Sequence, residues 1–213
     1  MADVNSNADT VIILDFETTG LSPALGDRAI EIGAVKLVKG KIEGRFQQLM
    51  NPGKRINAFI ENYTGITNAM LKSAPPCSEV MLAFSKFIDG YNLVAHNASF
   101  DSKFLVSELN SIKVKKNGEF ACSMLVARRL YQHAPNHKLG TLVAYKKLPN
   151  NGTFHRALAD AEMTARLWLQ MLSDINSVHS FSSIPFGTMQ KLARVSKPDV
   201  TGFLKREAVN YQA

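Results

Sequence analysis

A chain of 213 residues, 46% hydrophobic and 20% charged, is long enough to bury one substantial core and too apolar to stay disordered. Its 25 Lys and Arg against 18 Asp and Glu give a net charge of +7, which suits a polyanionic partner without requiring one. No apolar run approaches membrane-spanning length, and residues 1–10 lack the basic start and apolar stretch of a signal peptide. Two cysteines, Cys77 and Cys122, form neither a disulfide framework nor a metal-ligand pair, so the expectation is a reduced, cytoplasmic protein.

In chain order, residues 1–8 read as a flexible start. Residues 11–14, apolar and β-branched, predict a buried strand that ends in Asp15-Phe16-Glu17-Thr18-Thr19-Gly20-Leu21. Ile30, Ile32, Ala34 and Leu37 predict a second strand by their alternation. Gly40 breaks it, and residues 42–50 predict a third, the three forming an antiparallel meander. Residues 56–74 are mixed, with Thr64-Gly65-Ile66-Thr67 as a tight turn. A helix runs from Ser78 to Gly90, with Val80, Phe84, Phe87 and Ile88 on one side. Leu93-Val94-Ala95 is a brief strand that enters His96-Asn97-Ala98-Ser99 and a helix over 100–109. Helices are predicted over 121–131, 139–148 and 157–172, the last following the loop signal Asn150-Asn151-Gly152. Beyond residue 175 the composition turns polar and is punctuated by Pro185 and Pro198. Residues 176–213 hold five Lys or Arg against two Asp or Glu. They read as a basic appendage to a domain over 9–175, with short helices near 189–195 and 200–208; a tail that packs on the domain fits the same composition.

The chemistry-bearing residues fall in three groups. Asp15 and Glu17, two apart on a strand, point to one face at the end of a segment expected to be buried. Such a pair resists ionisation unless a cation joins it. Asp101 lies in the first turn of a helix, where an acid also serves the helix dipole. His155 and Asp160 flank the start of the 157–172 helix and converge only if His155 is on the loop before it. Alone, each has a plainer use: a solvated strand end, helix decoration, a helix cap. Together, four carboxylates and one histidine at element ends read as an oxygen-ligand site for two hard cations, Mg²⁺ or Mn²⁺, of the kind that drives in-line phosphoryl displacement. His155 would take a proton from the attacking water near neutral pH. Candidates for a basic surface around the site are Lys113, Lys115, Lys116, Arg128, Arg129, Lys138, Lys146, Lys147 and Arg156.

These segments resemble the three motifs of the DEDDh 3′–5′ exonucleases, the branch of the RNase H-like superfamily that contains the epsilon proofreading subunit of DNA polymerase III and RNase T. Residues 15–21 are similar to the first motif, residues 96–101 to the second and residues 155–161 to the third, over a span of about 9–173. Thr64 stands where many members carry a histidine before Gly-Ile. The resemblance implies an α/β fold: an RNase H-like mixed five-stranded sheet with helices on both faces. Four strands are placed by the sequence; the fifth falls near Phe120 or between helices. It implies that Asp15, Glu17 and Asp160 hold one metal, that Asp15 and, through water, Asp101 hold the second, and that His155 is the general base. Thr18, Leu21, Thr64 and Asn97 would bind the terminal nucleotide, Leu21 as a wedge. The implied activity is hydrolysis of single-stranded or frayed 3′ ends to nucleoside 5′-monophosphates, with DNA favoured, in proofreading, repair or end trimming. RNA trimming and a non-catalytic nucleic-acid or polymerase-docking scaffold are the alternatives. A polymerase or other protein would dock through 176–213, whose removal from residue 180 onward should spare activity, and a homodimer is compatible.

Overall fold

The computed structural model describes residues 7–149 and 156–211. Its centre is one five-stranded mixed sheet with helices on both faces. The strands are β1 (Val11–Thr18), β2 (Ala29–Val38), β3 (Lys41–Leu49), β4 (Asn92–Ala95) and β5 (Phe120–Cys122), in the order β3-β2-β1-β4-β5. β1, β2 and β3 are antiparallel, whereas β4 and β5 run parallel to β1. Lys39 and Gly40, both at positive φ (51° and 74°), make the two-residue turn between β2 and β3, the geometry that matches strand twist.

The helices are α1 (Ala58–Thr64), α2 (Asn68–Lys72), α3 (Cys77–Ile88), α4 (Ala98–Ser111), α5 (Ser123–Leu130), α6 (Leu139–Tyr145), α7 (Ala157–His179), α8 (Phe186–Leu192) and α9 (Val200–Asn210). Alternation along β1 sorts its side chains between two cores. Ile12, Leu14 and Phe16 pack with Phe84 of α3 and Phe104 of α4, while Val11 and Ile13 pack with Trp168 and Leu167 of α7. The same period carries Asp15 and Glu17 to the α7 side. Parallel β4 ends beside them and feeds α4, so the site forms at the carboxyl ends of neighbouring strands, where α/β sheets open a crevice.

Four expectations need correction. Residues 56–74 are two short capped helices, with Asn57 accepting from the Ile60 N–H and Thr67 from the Met70 N–H. The helix expected over 121–131 begins at Ser123. Ala121 and Cys122 belong to β5, the fifth strand, where they pair with Val94 and Ala95; three residues are too few to show a period. α7 extends to His179, past the expected end at 172, because Ile175 is buried and Asp174 binds the Tyr131 hydroxyl (2.7 Å) and the Lys146 ammonium (2.8 Å).

The fourth concerns the chain ends. The boundary expected after residue 175 falls inside α7, and the segment beyond it is part of the core. Phe181, Ile184, Phe186, Met189, Leu192, Val200 and Leu204 are buried in the same cluster as Trp168. Ala8, expected in a flexible start, is fully buried. Its carbonyl accepts from the Trp168 indole N–H (2.7 Å), and its N–H donates to the Ile184 carbonyl (2.7 Å). No helix among the described residues is long and apolar enough to cross a membrane.

Candidate active site

The site is built on a cross-strand square. Asp15 is the register partner of Gly33 and Glu17 that of Glu31, and a register shift between Glu17 and Thr18 ends the ladder there. The first turn of α7 lies over this corner. A Cβ on Gly33 would fall 2.0 Å from the Leu158 nitrogen, so only glycine lets the helix approach this closely. The approach delivers Asp160. Carboxylate oxygens of Asp15, Glu17 and Asp160 lie within 4.8 Å of one another, with Asp15 partly open to a cleft and the other two buried or nearly so.

Asp101 comes from the first turn of α4 and is buried. Its Oδ1 accepts from the Phe16 N–H at 3.1 Å, which sets it beside Asp15 but outside the group of three. His155, expected as the general base, lies outside the described residues.

The electrostatics are those of crowded, buried acids. Burial, then the charges of Asp101, Asp160, Glu17 and Glu31, holds the Asp15 carboxyl well above the usual carboxylate range. Burial, then Asp160, Glu31 and Asp101, pushes Glu17 up to about 8, with Arg156 pulling the other way. Burial also raises Asp101, opposed by the N–H of Phe16. Arg156 gives little relief because its guanidinium is committed to Glu31 (2.9 and 3.2 Å). The donors are all hard oxygens, three of them convergent, in surroundings that disfavour a bare negative charge. A divalent cation fits this group better than any side chain the described residues bring to it.

The expected nucleotide-binding residues surround the cleft. It holds about 760 Å³ and is lined by Asp15, Glu17, Thr18, Leu21, Thr64, Asn97 and Asp160 among others. The Thr18 hydroxyl donates to the Gly20 carbonyl (2.6 Å) and shapes the turn that leaves Leu21 83% exposed. Asp27 braces that turn through the Thr19 hydroxyl (3.1 Å) and the Ser22 N–H (3.0 Å). Asn97 sits in the left-handed region (φ 75°) before α4, makes no side-chain cap, and is exposed to the cleft. The Thr64 hydroxyl is already engaged, donating to the Ile60 carbonyl (2.8 Å) and accepting from the Ile66 N–H (3.1 Å). Of the basic-surface candidates, Arg156 and Lys146 are instead paired, with Glu31 and Asp174.

Three sets of residues escaped the sequence reading. Glu31, fully buried, accepts from Arg156, from the Ala157 N–H (3.1 Å) and from Gln47 (2.9 Å), and so fastens the start of α7 to β2. Glu108 of α4 repeats the device, taking the Arg28 guanidinium (2.8 Å twice) and the Ala29 N–H (3.1 Å). Both use an Arg-Ala pair and a buried glutamate, and a glutamate inside the apolar run Ala29-Ile30-Glu31-Ile32 was the available signal. His96 bridges Ser123 (2.8 Å) and the His137 carbonyl (2.9 Å), and burial drops it to about 4. The third set is an aromatic pair on α1, Phe59 and Tyr63, in the cleft wall.

A family model, RNase_T, described as Exonuclease, matches residues 12–168. A DNA polymerase III PolC-type protein of Caldanaerobacter subterraneus subsp. tengcongensis is 37% identical over 190 residues, 87% of this chain and 13% of that protein. The 3′-5′ exonuclease DinG of Bacillus subtilis (strain 168) is 33% identical over 192 residues, 90% of this chain and 20% of DinG. This chain therefore spans a fifth or less of the length of these curated relatives. Among solved structures, Exonuclease X in complex with 5′ overhanging duplex DNA superposes with a TM-score of 0.67 at 26% identity, covering 86% of this chain and 99% of that one.

Proposed function

This chain belongs to the exonuclease family whose model spans its residues 12–168, with the RNase H-like fold, and from that premise we propose that it hydrolyses DNA from a free 3′ end and releases nucleoside 5′-monophosphates. The observation that carries the reading is the convergence of Asp15, Glu17 and Asp160 at the floor of a cleft wide enough for a nucleotide. DNA is favoured over RNA because two of the more similar proteins carry DNA in their names, a DNA polymerase III and a duplex-DNA complex.

In this proposal Asp15, Glu17 and Asp160 would hold one Mg²⁺ or Mn²⁺, and Asp15 with Asp101, through water, would hold a second. Such ions would lower the pKa of the attacking water and offset charge on the leaving 3′-oxygen. The protein's own share is positional. The turn at residues 18–21 and Asn97 seat the last nucleotide, Leu21 presses against its base, and His155 receives the water's proton. Thr64, its hydroxyl spent on the end of α1, offers the strand shape rather than a hydrogen bond. Proofreading, repair or end trimming are the settings in which frayed 3′ ends arise. A polymerase partner docking through 176–213 would meet the outer faces of α8 and α9, since their inner faces are in the core.

The test is release of label from a 3′-labelled single strand with Mg²⁺ or Mn²⁺, compared with Asp15→Ala. Metal-dependent release by the parent and at least a hundredfold less by the variant is expected, the scale of losing a metal-borne step. Equal release by both, or cutting of a circular strand, overturns it.

A further inference from the structure

α1 is divided between two environments. Ile60 packs inward with Ile30, Ile56, Ile66 and Leu71, whereas Phe59 and Tyr63, four apart and therefore on one side of the helix, face the cleft. Their rings stack at 5.8 Å between centroids and 11° between planes. Phe59 is 71% exposed and Tyr63 50%. Two stacked aromatic faces left exposed at the mouth of the cleft offer a surface to something flat.

The helix is braced in a way that keeps this face fixed. Asn57 caps its start, Gly65 in the left-handed region ends it, and Thr64 ties its last turn to Ile66. Glu61 is anchored by the N–H (2.6 Å) and amide (2.8 Å) of Asn68. Seven residues would not hold a helix alone; the tethers pre-form the aromatic surface before any ligand arrives.

The order of the pair gives it a direction. Tyr63 feels the acidic group: its hydroxyl is raised by burial first and then by Glu17, Asp160 and Asp15. Phe59 lies one turn further from the end of α1 and is the more exposed of the two. Before α1 in the chain come exposed Lys54 and Arg55, which with Lys72 line a second cavity of about 430 Å³; the Lys54 ammonium also reaches Asp27 (3.7 Å) and the Gly26 carbonyl (2.7 Å). The acids and the aromatics share one cleft and the cations precede α1 in the chain, a set of surfaces that suits a strand with its 3′ end at the acids and a base on the rings.

We propose that Phe59 is a stacking platform for a nucleobase upstream of the 3′-terminal nucleotide, making the enzyme favour single strands longer than the nucleotide it removes. The proposal rests on the exonuclease reading and adds a length preference to it. Stacking accepts any base, so it predicts no sequence preference at this position.

The experiment compares Phe59→Ala and Phe59→Trp with the parent on two substrates, a ten-residue oligothymidylate and the p-nitrophenyl ester of thymidine 5′-monophosphate. Expected is a KM for the oligonucleotide that Phe59→Ala raises about tenfold more than the KM for the ester, with kcat little changed and with Phe59→Trp restoring the parent value. An equal change on both substrates, or none on the oligonucleotide, overturns the platform. Fluorescence anisotropy of a labelled oligothymidylate without divalent ions separates the two readings. Weaker binding by Phe59→Ala from a parent that cleaves neither substrate would keep the platform and remove the enzyme. Equal binding by both proteins would remove the platform whatever the catalysis.

Discussion

At the scale of single residues the site is a store of unfavourable charge. An unfolded glutamate ionises near 4.5, but Glu17 in the folded, metal-free protein does so only at about 8, because burial and neighbouring acids oppose its charge. Between those values the folded state keeps a proton that the unfolded state has released. Folding is therefore progressively penalised as pH rises, the reverse of a salt-bridged carboxylate. In EDTA the melting temperature should fall from pH 5 to pH 8, and Mn²⁺ should raise it by an amount that grows over the same interval, since the ion displaces those protons. Asp15→Asn removes one of the repelling charges and a ligand together. Its metal-free melting temperature should lie above the parent's at pH 8 and should no longer respond to Mn²⁺. Calorimetric scans across pH with and without metal check this; a melting temperature that rises with pH in EDTA would contradict it.

At the scale of elements, the question is what carries four acids from three elements into one site. β1 supplies two by alternation alone, and that part was legible: a β-branched run ending in Asp-x-Glu needs only the period of a strand. Asp101 and Asp160 were legible as residues but not in place, because their positions depend on contacts between segments far apart in sequence. Glu31 meets Arg156 across 125 positions, and no local pattern reports such a pair. Glu31→Gln breaks the fork and loosens the start of α7. The cost should be about 2 kcal/mol, below the ~3–5 kcal/mol for breaking a fully buried pair, because the Arg156 side chain remains 35% exposed. The distinguishing readout is Mn²⁺ affinity by titration calorimetry. Loosening α7 displaces Asp160, so affinity should fall several-fold at a temperature where the variant is fully folded; unchanged affinity would make Glu31 merely a stabiliser. β5 and α1 were hidden for a different reason. Three and seven residues are shorter than the windows over which period two and period 3.6 separate, and their shapes are set by β4 and by caps.

At the scale of the molecule, the segment after α7 decides what counts as the domain. Its apolar residues are spaced singly among polar ones and prolines, which in sequence resembles a tail. In the fold each is buried: Phe181, Ile184, Phe186, Met189, Leu192, Val200 and Leu204 join the apolar cluster that contains Trp168. Trp168 in turn holds Ala8, three residues before β1. Ala8 and the segment after α7 thus share one apolar core with α7 and the sheet, and α7 is the helix that carries Asp160. Full burial of a large aliphatic or aromatic side chain is worth roughly 1.5–3 kcal/mol, so losing seven of them costs roughly 10–20 kcal/mol, as much as the whole ~5–15 kcal/mol by which a typical domain is stable. Deleting residues 180–213 should therefore give a protein that is insoluble or lacks a cooperative melt, with loss of nuclease activity as a consequence of unfolding rather than of a missing ligand. The milder Phe186→Ala should cost about 3–5 kcal/mol while leaving kcat on short single strands near the parent value at low temperature. Circular dichroism melts paired with activity at 10 °C separate these outcomes. A deletion variant that melts like the parent would mean the segment only decorates the domain.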